Sequence, residues 1–540
     1  MRSPVSRVVL LGLGLAVALV VALVGGLPAQ TDPVRRPNVL VVLLDDLGFS
    51  DLGCYGGEIE TPHIDALAAG GLRFTDFYNT ARCWTTRAAL LTGYYPAQVN
   101  IEPRGVVPAW TRTLPERLAP SGYRSYHSGK WHVWAGYDTA PVARAKFDRS
   151  YWNNDYDRYF GPRMHYLDDG KLPAVAADAD YYATTAMADR MIEFLAEHEA
   201  EHDERPFFAY LAFIAPHFPL HARPDDIAKY DGRYDAGWDA IRAQRYARVQ
   251  KLGLTHGPLP PREEAILAPS GNAEQRARLG AGEVAHAVAW DDLSPEQRAF
   301  QANKMEVHAA MVDRVDQEVG RVVDWLRAHD ELDDTLILVL SDNGASAEVM
   351  VRGDGHDPEA APGSAGSFLC LGPGWSTAAN TPMRRHKIWT HEGGISTPLV
   401  AHWPRGIAAR GELRHAPSHV VDLTPTLMEV AGIAAPVEEG APPLPGRSLV
   451  PAFAADVPIA RPFVFFHHAG NRALRVGDHK LVSSKRDGDA WELYDLATDR
   501  GETRDLAEVE PERLAAMVAT WEQEYARQLG QGRAGPPKIW

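Results

Sequence analysis

Several short stretches of the chain carry side chains able to work together on an anion. The run Ala81-Arg82-Cys83-Trp84-Thr85-Thr86-Arg87-Ala88-Ala89-Leu90-Leu91-Thr92-Gly93 reads as a helix start, with Thr85 and Thr86 as candidate N-caps and Gly93 as the stop. Cys83 would then lie at the positive end of that helix, where free N–H groups stabilise negative charge. Arg87, four residues on, shares its face. A reactive centre beside a fixed cation suits the processing of an anion; a small buried structural cysteine is the alternative reading.

Two further stretches supply oxygen ligands. Residues 38–44, Asn38 and then an unbroken apolar run, have the pattern of a strand buried on both faces of a parallel sheet. It ends in Asp45-Asp46, at the strand edge where open α/β sheets carry ligands. Adjacent carboxylates repel unless a cation lies between them, although Asp also serves simple solvated turns. Residues 335–340 form a second such run, ending Ser341-Asp342-Asn343-Gly344. Asp45, Asp46, Asp342 and Asn343 together make an all-oxygen set, which favours Ca²⁺ or Mg²⁺ over zinc. Lys130 and His132 lie on one face if Gly129-Lys130-Trp131-His132 is extended, a cation with a proton carrier. His217 follows the apolar run 206–215, and Lys387 closes the basic cluster Arg384-Arg385-His386-Lys387.

The elements that must position these groups come next. Helices are expected over 114–119, 181–198, 239–252, around Val315 to Leu326, over 419–430 and over 510–529, with strands at 123–128, 474–482 and 491–494. Residues 152–173 and 353–374 read as loops, 436–445 as a linker, and 222–300 as a peripheral insertion. The domain expectation is a catalytic domain over 36–455 and a C-terminal subdomain over 456–540. A length of 540 residues allows a large core, and the net charge of −16 argues against nucleic-acid binding. Arg2 and Arg7 precede an apolar run over 8–27 and then Pro-Ala-Gln, so 1–29 reads as a signal peptide, or as an anchor if uncleaved. The expectation is export, to a periplasmic or secreted location, with membrane contact only through an uncleaved leader. Three cysteines, Cys54, Cys83 and Cys370, are too few for a disulfide scaffold.

Cys83 to Gly93 resembles the signature of the type I sulfatases, a Cys-x-Pro-Ser-Arg motif followed by Leu-Leu-Thr-Gly. Cys83, Arg87, Leu90, Leu91, Thr92 and Gly93 match; Thr85 stands where the family usually has Pro, and Thr86 replaces Ser. Thr61-Pro62-His63-Ile64-Asp65, Gly129-Lys130-Trp131-His132 and Lys387 with Glu392-Gly393-Gly394-Ile395 are similar to further blocks of that family. Residues 234–239 and 290–296 resemble bacterial arylsulfatases, and the likeness spans 37–506. It implies an alkaline-phosphatase-like α/β fold, a mostly parallel sheet between helices with a small C-terminal α+β subdomain. It also implies conversion of Cys83 to 3-oxoalanine (formylglycine) by a maturation enzyme, and Ca²⁺ held by Asp45, Asp46, Asp342, Asn343 and the modified Cys83. By the same likeness Arg87, Lys130 and Lys387 neutralise the sulfate, and a hydroxyl of the hydrated aldehyde attacks sulfur with help from Asp342. His217 or Lys387 protonates the alcohol, and His132 takes the proton that frees sulfate. The implied substrate is a sulfated small molecule or sulfated sugar. A phosphomonoester or phosphonate hydrolase, or a sulfated-glycan binder if Cys83 stays a thiol, are the other classes open at this point.

Overall fold

The computed structural model describes residues 1, 36–102, 105–133, 142–176, 179–268, 273–433, 440–536 and 538. The targeting segment beyond Met1 and the first part of the linker expected at 436–445 lie outside them. In chain order the strands are β1 (Asn38–Leu44), β2 (Leu72–Phe74), β3 (Phe77–Tyr78), β4 (Arg124–Gly129), β5 (Arg149–Asn153), β6 (His165–Leu167), β7 (Gly170–Lys171), β8 (Phe207–Ala212), β9 (Thr335–Ser341), β10 (Leu399–His402), β11 (Glu412–Arg414) and β12 (Ser418–His419). They are followed by β13 (Val464–His468), β14 (Asn471–Val476), β15 (His479–Ser484) and β16 (Trp491–Asp495). The helices used below are α1 (Pro62–Ala69), α2 (Cys83–Thr92), α3 (Ala183–His202), α4 (Gly237–Lys251), α5 (Pro295–Ala328), α6 (Leu423–Val430) and α7 (Pro511–Gly532).

Every residue of β1, β8 and β9 is buried, which requires strand partners on both edges and cover on both faces. The sheet supplies this: ten strands in the order β11-β2-β10-β9-β1-β8-β4-β5-β6-β7, with β9, β1, β8, β4 and β5 mutually parallel. Alternation along β1 sends Leu40, Val42 and Leu44 into one core with α1, α3 and α5, and Val39, Val41 and Leu43 into the other with α2, α6 and α7. The fold is therefore the expected α/β sandwich with an antiparallel C-terminal sheet, β13 to β16, packed under α7.

Local readings differ in four places. Residues 152–173 are not all loop: β6 and β7 and the end of β5 extend the sheet there, because Tyr151 to Asn153 find partners at His165 to Leu167, a tertiary pairing with no periodic signal in a polar segment. The end of the loop expected over 353–374 is helical instead: a helix opens at Gly372 and runs to Ala379. Residues 474–482 are not one strand but parts of β14 and β15, folded back at Gly477, whose positive φ of 59° suits glycine. The helix read over 419–430 begins as a short 3₁₀ turn at Val420–Asp422 before α6.

The C-terminal sheet is keyed to the main one by buried charge. Lys480 Nζ on β15 donates to Glu392 Oε1 and Glu502 Oε1, both at 2.8 Å. Arg500 Nε donates to Glu392 Oε2 at 2.6 Å. Burial alone would raise the Glu392 pKa; Lys480 and then Arg500 overcome it and hold it down to about 2. A lowered carboxylate pKa stabilises the fold above the ordinary glutamate value, and that contribution is lost as pH falls toward about 2. Lys480→Met removes the shared cation and leaves two buried carboxylates facing each other. It should cost on the order of 3 kcal/mol, read as a lower midpoint in denaturant with an unchanged slope.

Candidate active site

The parallel strands β9, β1, β8 and β4 are neighbours in the sheet, so their carboxyl ends open onto one edge. β1 delivers Asp45 and Asp46, β9 delivers Asp342 and Asn343, β8 leads to His217, and β4 leads to Lys130 and His132. Asp46 has φ of 67° and His132 of 42°, left-handed conformations that turn the chain sharply at the strand ends. Gly129 has φ of 122°, and a Cβ there would stand 1.9 Å from the Ala212 carbonyl oxygen. Only glycine permits that approach to β8, and it sets where Lys130 emerges. Lys130 and His132 thus reach the same centre through a bend, not along the extended segment expected.

α2 brings the remaining groups. It starts at Cys83 with Arg82 as N-cap, so Thr85 and Thr86 lie inside its first turn and not at the cap. Their hydroxyls are occupied instead by Thr80: Thr80 Oγ1 donates to Thr85 Oγ1 at 2.7 Å and lies 2.9 Å from Thr86 Oγ1. Arg87 is fully buried; its Nε and Nη2 donate to Asp342 Oδ2 at 2.9 and 2.7 Å, and Nη1 to the Lys130 carbonyl at 2.9 Å. Nη2 also reaches Asp45 Oδ2 at 3.3 Å. Lys130 Nζ donates to Asp45, and Lys387 Nζ to Asp46 Oδ2 at 2.8 Å. Cys83 Sγ lies 3.4 Å from His132 Nδ1, and His217 Nε2 lies 3.8 Å from Asp46 Oδ2. All the anticipated side chains, Asp45, Asp46, Cys83, Arg87, Lys130, His132, His217, Asp342, Asn343 and Lys387, therefore meet in one pocket. Cys54 and Cys370 stand apart as free thiols.

The electrostatics follow from burial. Desolvation would raise Asp45, but Lys130 and Arg87 outweigh it and lower its pKa. Burial, only partly offset by Lys387, raises Asp46. Burial and the neighbouring Asp45 push Asp342 up to about 7 against Arg87 and Lys130. Burial and then Lys130 hold both His132 and His217 well below the usual imidazole range, so both rings are neutral. The His217 Nδ1 faces the Phe218 carbonyl, which can only accept, so Nδ1 carries the hydrogen and Nε2 is bare.

Two side chains escaped the sequence reading. Arg82 adds a fourth cation next to Cys83, and Glu348, buried, faces both Arg82 Nη1 at 3.4 Å and Lys387 Nζ at 3.2 Å. Adjacency to Cys83 was the only signal for Arg82; Glu348 lies in an irregular stretch beyond Asn343 and had none.

The pocket also fits a divalent cation. Asp45, Cys83 and Asp342 each turn a ligand atom into a volume where all three lie within 4.8 Å of one another, as do Asp45, Asp46 and His217. Asp45 Oδ1 and Asn343 Oδ1 are buried with no hydrogen-bond partner among the described residues, an arrangement that burial normally forbids unless something else satisfies them. Hard oxygen donors of this kind match Ca²⁺ or Mg²⁺.

Comparison with known proteins agrees with this geometry. A family model described as Sulfatase matches residues 37–433, and one described as N-sulphoglucosamine sulphohydrolase, C-terminal, matches 385–528. A sulfatase of Schizosaccharomyces pombe is 31% identical over 90% of this chain and 93% of its own. An arylsulfatase of Klebsiella aerogenes is 30% identical over 78% of this chain and 91% of its own. The crystal structure of Ps i-CgsB in complex with k-i-k-neocarrahexaose superposes with a TM-score of 0.64 at 23% identity, covering 93% of this chain and 95% of that one. The sheet and its helices have the alkaline-phosphatase-like arrangement shared by such structures.

Asp342→Asn keeps the shape of the side chain but removes the charge that faces Arg87 and the cation site. Bound divalent metal, measured by elemental analysis, should fall, and turnover should drop on the order of 10²-fold. Full turnover of the wild type in excess chelator would show that these oxygens serve no metal.

Proposed function

The chain belongs to the sulfatase family and is a sulfuric ester hydrolase, and from that membership we propose that it works through a formylglycine made from Cys83 with a calcium ion beside it. The observation that supports this most is the placement of Cys83. Its sulfur lies at the N-terminal turn of α2, ringed by Arg87, Lys130 and Lys387, and burial pushes its thiol pKa up. A thiol kept protonated is a poor nucleophile, and a simple Cys or Ser ester would have no internal route to release. Formylglycine as its hydrate supplies one hydroxyl to attack sulfur and a second through which sulfate is expelled. Calcium would be held by Asp45, Asp46, Asp342 and Asn343 together with residue 83, and would supply charge neutralisation.

The rest is the work of the chain's own side chains. Arg87, Lys130 and Lys387 orient the ester and meet the negative charge that builds on the sulfate oxygens, in a buried pocket where such interactions are strong. Asp342 Oδ1, which Arg87 does not hold and which takes only a long hydrogen bond from Asp46 N at 3.4 Å, accepts a proton from the attacking hydroxyl in this reading. Lys387 carries a proton to give the departing alcohol: burial would lower its pKa, but Asp46 and Glu348 raise it. His217, neutral with a bare Nε2, would first have to be charged. His132 Nδ1, 3.4 Å from Cys83 Sγ, is a neutral base in reach of residue 83 and accepts the proton whose loss releases sulfate.

The Klebsiella arylsulfatase among the relatives supports a small aryl or alkyl sulfate as substrate, with a sulfated sugar as the other member of the class. Export rests on the leader sequence; among the described residues no helix is long and apolar enough to cross a membrane.

His132→Ala should release about one equivalent of alcohol per enzyme and then stall, a burst visible by rapid mixing. Steady turnover at the wild-type rate would make the ring structural. Thr85 gives a second expectation. As third residue of α2 its amide lies ahead of the helical ladder, whose first bond runs from Thr86 N to the Arg82 carbonyl, so proline is compatible there. Proline would also restrict the peptide that the maturation enzyme must hold extended, lowering the entropy lost on binding. Thr85→Pro should raise the aldehyde fraction at residue 83, read by peptide mass spectrometry after production in a foreign host. An aldehyde fraction already complete in the unaltered protein would remove that role for position 85.

A further inference from the structure

Glu348 is a carboxylate in the pocket that stands outside the oxygen set for a cation. Its side chain is 3% exposed; Oε1 faces Arg82 Nη1 at 3.4 Å and Oε2 faces Lys387 Nζ at 3.2 Å. Ser346 Oγ donates to Oε2 at 3.1 Å. Arg82 immediately precedes Cys83 and caps its helix, while Lys387 reaches on to Asp46. A buried negative charge is thus lodged between two of the four cations, Arg82, Arg87, Lys130 and Lys387, that surround residue 83.

A pocket built only to grip anions as tightly as it can gains nothing from such a group. Burying a carboxylate costs desolvation, and this one weakens the field of both neighbouring cations. Its effect does depend on the charge of what binds, because Coulomb repulsion is proportional to the charge of the incoming anion. A dianion of the same shape and position is penalised twice as heavily as a monoanion. A sulfate monoester carries one negative charge. A phosphate monoester carries two above its second pKa of about 6, and so does the inorganic sulfate that the reaction leaves behind.

We propose that Glu348 is a specificity-determining residue, which tunes the pocket toward singly charged sulfate esters, against doubly charged phosphate esters, and speeds departure of the doubly charged product. Arg82 and Lys387 hold it in place, and it acts on the bound anion across them. The inference rests on the sulfate-ester reading above.

The test compares wild type, Glu348→Gln and Glu348→Asp on 4-nitrophenyl sulfate and 4-nitrophenyl phosphate at a pH well above the second phosphate pKa. Gln keeps the length and an acceptor for Ser346 while removing the charge; Asp keeps the charge. The ratio of kcat/KM for phosphate over sulfate should rise by about tenfold or more in Glu348→Gln, because one unit of negative charge acting on the anion across Arg82 and Lys387 is removed. It should stay near the wild-type value in Glu348→Asp. Inorganic sulfate should inhibit Glu348→Gln at a several-fold lower concentration than wild type. A constant ratio with both activities falling together would mean that Glu348 only holds Lys387 and Arg82, and would overturn the proposal. An equal shift in Gln and Asp would do the same. Should Glu348→Gln fail to fold, Glu348→Met removes the same charge at similar length and is read in its place: its phosphate-over-sulfate ratio should rise likewise, and an unmoved ratio would refute the idea. A wild type inert to every ester defeats the sulfate-ester reading itself, whereas an active wild type with an unmoved ratio in the variants defeats only the role of Glu348.

Discussion

The guanidinium of Arg87 donates to Asp342 beyond the end of β9, to Asp45 beyond the end of β1 and to the Lys130 carbonyl beyond the end of β4, so one side chain of α2 fastens three strand ends together. Neither partner in this set tolerates burial alone. A bare carboxylate at zero exposure or a lone guanidinium beside it would each carry a desolvation cost of several kcal/mol. Held together they form a water-poor pocket in which charge is arranged before any ligand arrives, the condition under which fixed charges contribute most to catalysis. The parallel order β9-β1-β8-β4 is what allows it, since in that order four neighbouring strands finish on the same edge.

How much of this could be read from the residues alone varies with the kind of signal. β1, β8 and β9 announce themselves because strands buried on both faces become unbroken apolar runs. Their terminal polar residues, Asp45, Asp46, Asp342 and Asn343, were legible for the same reason, as the first hydrophilic positions after such a run. Cys83, Arg87 and Lys387 were legible through their motifs. What escaped depends on contacts between distant segments. β6 and β7 pair through a polar stretch with no periodicity. His132 reaches the pocket through a left-handed turn that its extended neighbours do not foretell. Glu348 belongs to no regular element, and its importance lies wholly in which two cations fold against it.

The C-terminal sheet uses the same physical device for another end. Glu392, Lys480, Glu502, Arg500, Asp76 and Arg475 are all buried where β15 and its neighbours meet the main body. Apolar contacts hold the two sheets together without dictating register. A fully satisfied charge network adds that, because any slip strands a charge. Glu392 also opens the short helix Glu392–Ile395, and Gly393 N donates to the Arg384 carbonyl. The network therefore anchors the segment that carries Lys387 to the pocket.

Every residue of α2, from Cys83 to Thr92, is buried. Another protein that has to grasp this stretch as an open peptide finds nothing to hold once the helix has docked between the sheet and α6. Chemistry on residue 83 by an outside catalyst, as proposed above, would then be a race against folding, settled while the chain is still open. The yield of altered protein becomes a matter of timing as well as affinity. Slower closure of α2, by lower temperature or by delayed arrival of Arg87 at its three strand ends, lengthens the interval in which that chemistry is open.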